Sequence, residues 1–161
     1  MKKYLIAILT CLVSTFGVYS QTGRLELADI DKRTIEIKTD LLSYNKFENY
    51  KDSSGYTYLY KKNHELKAVM LEYKDSREPG KYIDKKVEWY FHAGHLIYCE
   101  TTWTDIVTGL VVGNEKCYLN EKHLIEWIKT GNYNEETDSK DFHDADIALI
   151  TYGNKLVRSN Y

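Results

Sequence analysis

The stretch "HAGHLIYC", His92 to Cys99, places two imidazoles and a thiol close together, and zinc accepts both ligand types. In an antiparallel meander alternate turns share one rim, which would line up His64, His92, His95 and His123 at one end of a sheet. Successive turns on that rim are two strands apart, about 9.6 Å at the usual strand spacing. A Zn–N bond is only about 2.1 Å long, so His95 and His123 could share an ion only if their turns bent together. Solvated turn residues are the plainer reading. His92, His95 and His123 are weak metal candidates, and no cofactor is expected.

Cys99 and Cys117 offer a second kind of chemistry. If strands 96–104 and 113–119 pair around a turn centred near Thr108, the two cysteines fall directly opposite each other. Facing Cβ atoms of an antiparallel pair stand about 4.5–5.5 Å apart, somewhat beyond disulfide geometry. A cross-strand disulfide and a pair of small buried thiols both stay open. A nucleophilic cysteine with His92, His95 or His123 as its base is disfavoured, because a strand cysteine among alternating neighbours is ordinarily core. Glu135, Glu136, Asp138, Asp141, Asp144 and Asp146 lack the spacing of a calcium loop and read as a solvated linker and helix start. Gly-rich phosphate loops, a G-x-S-x-G elbow and an H-E-x-x-H helix are absent from the sequence, so no catalytic residues are assigned.

Tyrosine is the compositional excess, at 15 residues. Along Val87 to Phe91 the odd positions Val87, Trp89 and Phe91 are the more apolar and are expected to face helices. Glu88 and Tyr90 would then face outward with Tyr98 and Tyr118 nearby. An open face carrying Tyr58, Tyr60, Glu88, Tyr90, Tyr98, Lys116 and Tyr118 suits an interface, because tyrosine offers large contact area at small entropic cost. High strand propensity and cross-strand pairing explain the same residues without any partner.

The elements that would carry these residues follow from periodicity. Leu27, Ile30, Thr34, Ile37, Leu41 and Tyr44 step by three and four, the period of one helical face, although "RTIEIKT" also alternates like a strand. Short runs rich in Tyr, Trp, Val, Ile and Thr then predict strands near 56–60, 65–73, 82–91, 96–104, 113–119 and 124–129. Their connections are "KKNH", "KDSREPGK", "HAGH", a poorly defined stretch around "DIVTGLVV", and "NEKH". "WYFHAGHLIYCE" (89–100) returns 28 positions later as "CYLNEKHLIEWI" (117–128), and "LYKKNHELKAVM" (59–70) is a more worn copy. A repeat of two strands and two turns explains that distance by architecture alone. After Gly131, Ser139 is a plausible N-cap for a helix with Phe142, Ala145, Leu149 and Tyr152 on one face, and "NKLVRSNY" follows as a tail or last strand.

The opening "MKKYLIAILTCLVSTFGVYSQ" has a basic start and a short apolar run, which predicts a signal peptide over 1–20 with Gln21 as the mature N-terminus. Removing it takes away Lys2 and Lys3 but no acid, so the charge falls from −2 to about −4. That balance, without a basic stripe, excludes nucleic acid as a partner class. Residues 21–161 fit one domain, and no membrane association is expected after cleavage.

The Tyr-aromatic, polar turn, Leu-Ile unit resembles a group of small exported bacterial proteins built on "YYFDNGKLI" hairpins and, more distantly, MORN-like hairpin repeats. The resemblance covers roughly residues 56–150. "FHAGHLI" and "LNEKHLI" depart from it where Asp-Asn-Gly-Lys is usual. It implies an exported α+β protein without an established activity, and it transfers no catalytic residue.

Together these readings predict an α+β domain, an antiparallel β-meander of about five to six strands with an N-terminal and a C-terminal helix packed on one face. The expected function is non-catalytic protein binding in the periplasm or outside the cell, through the tyrosine-rich face. A glycan-binding accessory domain and a metal-dependent hydrolase with a histidine-lined rim are the alternatives.

Overall fold

The computed structural model describes residues 26–51, 55–75, 83–131 and 139–159. The signal peptide expected over 1–20, Pro79 and the acidic stretch Glu135 to Asp138 lie outside the described residues. Seven strands form one antiparallel sheet in strictly sequential order: β1 (Asn45–Lys51), β2 (Gly55–Lys62), β3 (Glu65–Asp75), β4 (Ile83–His92), β5 (His95–Asp105), β6 (Val111–Leu119) and β7 (Leu124–Gly131). The helix α1 covers residues 26–40 and runs into a 3-10 turn at Leu41–Ser43, while α2 spans Ser139–Arg158.

The sheet therefore has seven strands rather than five or six, and the addition is β1. Its sequence "NKFENYK" is polar and carries three charges, so it lacks the apolar alternation that marks a half-buried strand. It pairs on one side only, with β2, and a charged edge strand of this kind resists pairing with other chains. In "RTIEIKT" the helical period prevails, because Ile30, Thr34 and Ile37 are all buried on one side of α1. Residues 154–158 extend α2 instead of forming a tail or strand, and Leu156 and Val157 pack against the core.

The repeat encodes a bulged hairpin. In each copy the ladder shifts register just after the shared tyrosine: between Tyr60 and Lys61, Tyr90 and Phe91, and Tyr118 and Leu119. A bulge bends its strand and raises the local twist. The first two copies then close with two-residue turns whose central residues all have positive φ, Asn63 and His64 in one, Ala93 and Gly94 in the other. Two-residue hairpins favour this conformation because it matches strand twist. The third copy closes differently: Asn120 Oδ1 accepts hydrogen bonds from the backbone N–H groups of Lys122 and His123, at 3.0 and 2.8 Å.

The two helices pack on opposite faces of the sheet, not on one. One core holds Leu59, Leu66, Val69, Val87, Trp89, Phe91, Leu96, Cys99, Cys117, Leu119 and Leu124 under Phe142, Ala145, Leu149, Ile150, Leu156 and Val157 of α2. The other gathers Ala68, Met70, Tyr90, Ile97, Tyr98 and Tyr118 beneath Ile30 and Ile37 of α1. Coverage of both faces explains why the strand ends read as unbroken apolar runs, "WYF", "LIYC" and "CYL". α2 sits close to the sheet through Gly153, where an alanine Cβ would stand 2.8 Å from Leu96 Cβ. Its Asp146 Oδ1 accepts the backbone N–H of Leu124 at 2.6 Å, which fixes the helix across β7.

Candidate functional site

Strand register sorts the tyrosine-face residues into rows. Tyr60, Ala68, Tyr90, Tyr98 and Tyr118 are cross-strand neighbours from β2 to β6, so the shared tyrosine of every repeat copy falls in one row. α1 lies along it. Its Asp31 lies beside Tyr118, Arg33 meets His92, and Asp40 pairs with Lys62 Nζ at 3.5 Å. The lengths agree: four inter-strand gaps span about 19 Å, and the rise from Leu27 to Asp40 is about 20 Å.

This overturns the picture of an open tyrosine face. Tyr90, Tyr98 and Tyr118 are 1, 3 and 8 % exposed, and they form the seat of α1. Burial, followed by the neighbouring carboxylates, pushes all three phenols up in pKa, Tyr118 to about 12. Tyr58, Tyr60, Glu88 and Lys116 are only partly covered. The next row, Tyr58, Met70, Glu88, Glu100, Lys116 and Ile128, lies at the margin of α1, and beyond it come Tyr56, Glu72, Lys86, Thr102, Asn114 and Thr130.

These two rows form a polar strip. Glu88 and Glu100 are directly opposed on β4 and β5. Glu88 Oε1 accepts from the Tyr90 hydroxyl at 2.9 Å and pairs with Lys86 Nζ at 3.0 Å. Glu100 Oε2 accepts from Lys38 Nζ at 2.9 Å and the Tyr98 hydroxyl at 3.1 Å, while Oε1 accepts from Asn114 at 3.1 Å. Burial opposes the Glu100 charge, but Lys38, Asn114 and Tyr98 together outweigh it and hold the pKa below the usual carboxylate value. Lys38 Nζ also stands 5.1 and 5.3 Å from the ring centres of Tyr90 and Tyr98, within cation–π range.

At the end of the sheet away from the repeat turns, the β5–β6 connection and the first residue of β6 project four aliphatic side chains. Val107, Leu110, Val111 and Ile106 are 82, 65, 62 and 39 % exposed. The loop is held from its base. Asp105 Oδ1 accepts from the Thr108 backbone N–H at 2.7 Å and its hydroxyl at 3.0 Å, while Gly109 N–H donates to Asp105 O at 2.8 Å. Gly109 has φ +68, which suits glycine. In the sequence, "DIVTGLVV" carries no clear turn signature. An apolar run where a turn should be polar was the available signal.

The other candidates separate in space. His92 contacts Arg33 on the α1 side, whereas His123 Nδ1 lies 3.5 Å from Asp146 Oδ2 of α2. Among the described residues no three His, Cys, Asp or Glu side chains stand close enough to hold a metal. Cys99 and Cys117 do pair across β5 and β6, and both are free, buried thiols rather than a disulfide. Desolvation pushes the Cys117 pKa up to about 12 and Cys99 well above its ordinary value, so neither is a ready nucleophile. No helix among the described residues is long and apolar enough to cross a membrane. No family model, curated protein or solved structure matches the chain.

Proposed function

We propose that this chain is an exported, non-catalytic interaction domain that binds a protein partner through the polar strip and the adjoining β5–β6 tip. The carrying observation is the tip itself: three exposed aliphatic side chains on a loop held by Asp105, where a free turn would be polar, with exposed Val111 beside them at the start of β6. Contiguous exposed apolar groups rimmed by polar residues mark interaction surfaces. The strip supplies that rim, with Lys86, Glu88, Glu100, Asn114 and Lys116 offering charges of both signs. Tyr58, Glu88 and Lys116 stay in the proposed surface, Tyr60 borders it, and Tyr90, Tyr98 and Tyr118 act by seating α1. Export rests on the sequence of residues 1–20, and the charge of about −4 left after their removal supports a protein over a nucleic acid.

A glycan reading has one observation in its favour, the parallel rings of Tyr56 and Tyr58, 3° apart in plane. Lys46 Nζ lies 3.7 Å from the Tyr58 ring centre and so occupies a ring face that a sugar would need. The protein reading therefore ranks first. Its test is quantitative capture from envelope and secreted extracts of the source, comparing wild type with a Val107→Asp/Leu110→Asp double variant. Ile147→Ala, on exposed α2, serves as control. A single protein retained by wild type and control but lost from the double variant supports the proposal. Equal capture by all three contradicts it.

A further inference from the structure

α1 rests on the sheet as much through polar groups as through apolar ones. Ile30 and Ile37 are its buried apolar side chains, with Leu27 and Leu41 partly buried beside them. Thr34, between the two isoleucines, is buried with its hydroxyl unpaired, and the row beneath is built of tyrosines. A helix seated this way belongs to the less stable part of a fold, so its polar contacts decide whether it stays. One of those contacts involves a group that changes charge near neutral pH. The Arg33 guanidinium, on the middle of α1, meets Nε2 of His92 at the end of β4. Arginine keeps its proton and offers no acceptor, so this contact requires a neutral ring that accepts through Nε2.

A proton on His92 places a second cation against Arg33, and like charges at contact repel. The other charged groups around the ring are largely engaged. From α1, Asp29 pairs with Arg33 Nε at 2.6 Å and Asp40 with Lys62 at 3.5 Å, and Glu36 lines the same cleft. From β3, Glu65 pairs through Oε2 with Lys67 at 2.8 Å, and from β5, His95 stands opposite His92 in the ladder. Burial first, then Arg33 and Lys67, lower the His92 pKa, and Glu65 and Asp29 oppose them without prevailing. Because the folded pKa lies below the ordinary 6.5, the seated state holds fewer protons than a state in which the ring faces water. The contribution of this contact is therefore complete above pH 6.5 and is lost as pH falls through the lowered folded value.

We propose that the Arg33–His92 contact is an acid-sensitive latch: when the imidazole takes up a proton, α1 leaves its seat and uncovers the row Tyr90, Tyr98 and Tyr118. The bistable element is α1 itself, and the charge that biases it sits on one ring. Opening exposes aromatic surface next to the polar strip, so the latch acts on the face of the sheet that α1 otherwise closes.

The test is amide hydrogen exchange of the whole chain read by NMR, from about pH 7 to about pH 5, the range in which histidine changes charge, with intrinsic exchange rates divided out. Protection across α1 is expected to fall several-fold, in step with protonation of the His92 ring, while amides of β4 to β6 stay protected. His92→Gln keeps a neutral acceptor for Arg33, and Arg33→Gln removes the opposing cation, so each is expected to abolish the fall. His95→Gln should keep it. Constant protection of α1 in the wild type overturns the proposal. So does an equal fall in His92→Gln and Arg33→Gln, the mark of carboxylate titration, or a loss spread over the whole sheet, the mark of general acid unfolding. If either variant fails to fold, the wild type decides alone: a fall in α1 protection out of step with the His92 ring overturns the latch.

Discussion

Thr34 offers a sharp probe of how α1 is seated. It is 5 % exposed, lies between Ile30 and Ile37 on the sheet side of the helix, and its hydroxyl has no hydrogen-bond partner. Burying a hydroxyl without a partner costs about 1–3 kcal/mol by mutational measure, and a buried methyl-sized group contributes about 0.8 kcal/mol. Threonine and valine have nearly equal helix propensity, so propensity cancels. Taking the lower part of the range, since a helical threonine can relax towards the preceding turn, Thr34→Val should stabilise the protein by about 1 kcal/mol. For a domain of this size that corresponds to a rise in Tm of about 4 °C. Equilibrium urea unfolding reads it as a higher midpoint with unchanged slope. Thr39→Val, the same change on the exposed side of α1, should move stability by less than about 0.5 kcal/mol. If Thr34→Val is neutral or destabilising, α1 does not rest on the tyrosine row as described.

Other outcomes follow from turns, thiols and phenols. Ala93 holds φ +48 beside Gly94, so Ala93→Asn, which tolerates that conformation, should stabilise the hairpin by about 0.5–1 kcal/mol, read by thermal unfolding. Cys99 and Cys117 should react slowly with a disulfide reagent at mildly alkaline pH and fully in denaturant; rapid reaction of the native protein would contradict their burial. Tyr118 has its folded pKa raised from 10.0 to about 12, so its contribution is complete below pH 10 and lost as pH climbs towards 12. Tyr90 and Tyr98 shift in the same direction. Urea midpoints should therefore fall across that window while the native seated phenols remain neutral, and a flat midpoint would refute the seating.

Much of the sheet was legible because its turns are. Gly94, the polar pairs around 62–65 and 120–123, and the β-branched and aromatic runs mark six strands. Symmetry about Thr108 is enough to oppose Cys99 and Cys117. β1 was not legible, since an edge strand needs no apolar face. A period of two along Val87 to Phe91, "VEWYF", points Tyr90 outward and does not reveal the seat of α1. Tyr90 alternates with Trp89 and Phe91, yet all three are buried, because the opposite face has a helix as well. A run of three aromatics was the sign of two covered faces. The candidate surface is illegible for a related reason: the tyrosine excess marks residues that hold α1, while the exposed aliphatics of the β5–β6 tip carry no periodic signal.

The most direct measurement for the proposed interaction is site-specific photocross-linking in intact cells of the source, with the cross-linker installed in turn at Val107, Lys86 and Tyr152. The first two positions lie on the proposed surface, and Tyr152 is on α2 across the sheet. The account predicts one shared protein adduct from Val107 and Lys86 and none from Tyr152. Adducts from Tyr152 alone, or from none of the three, would contradict it.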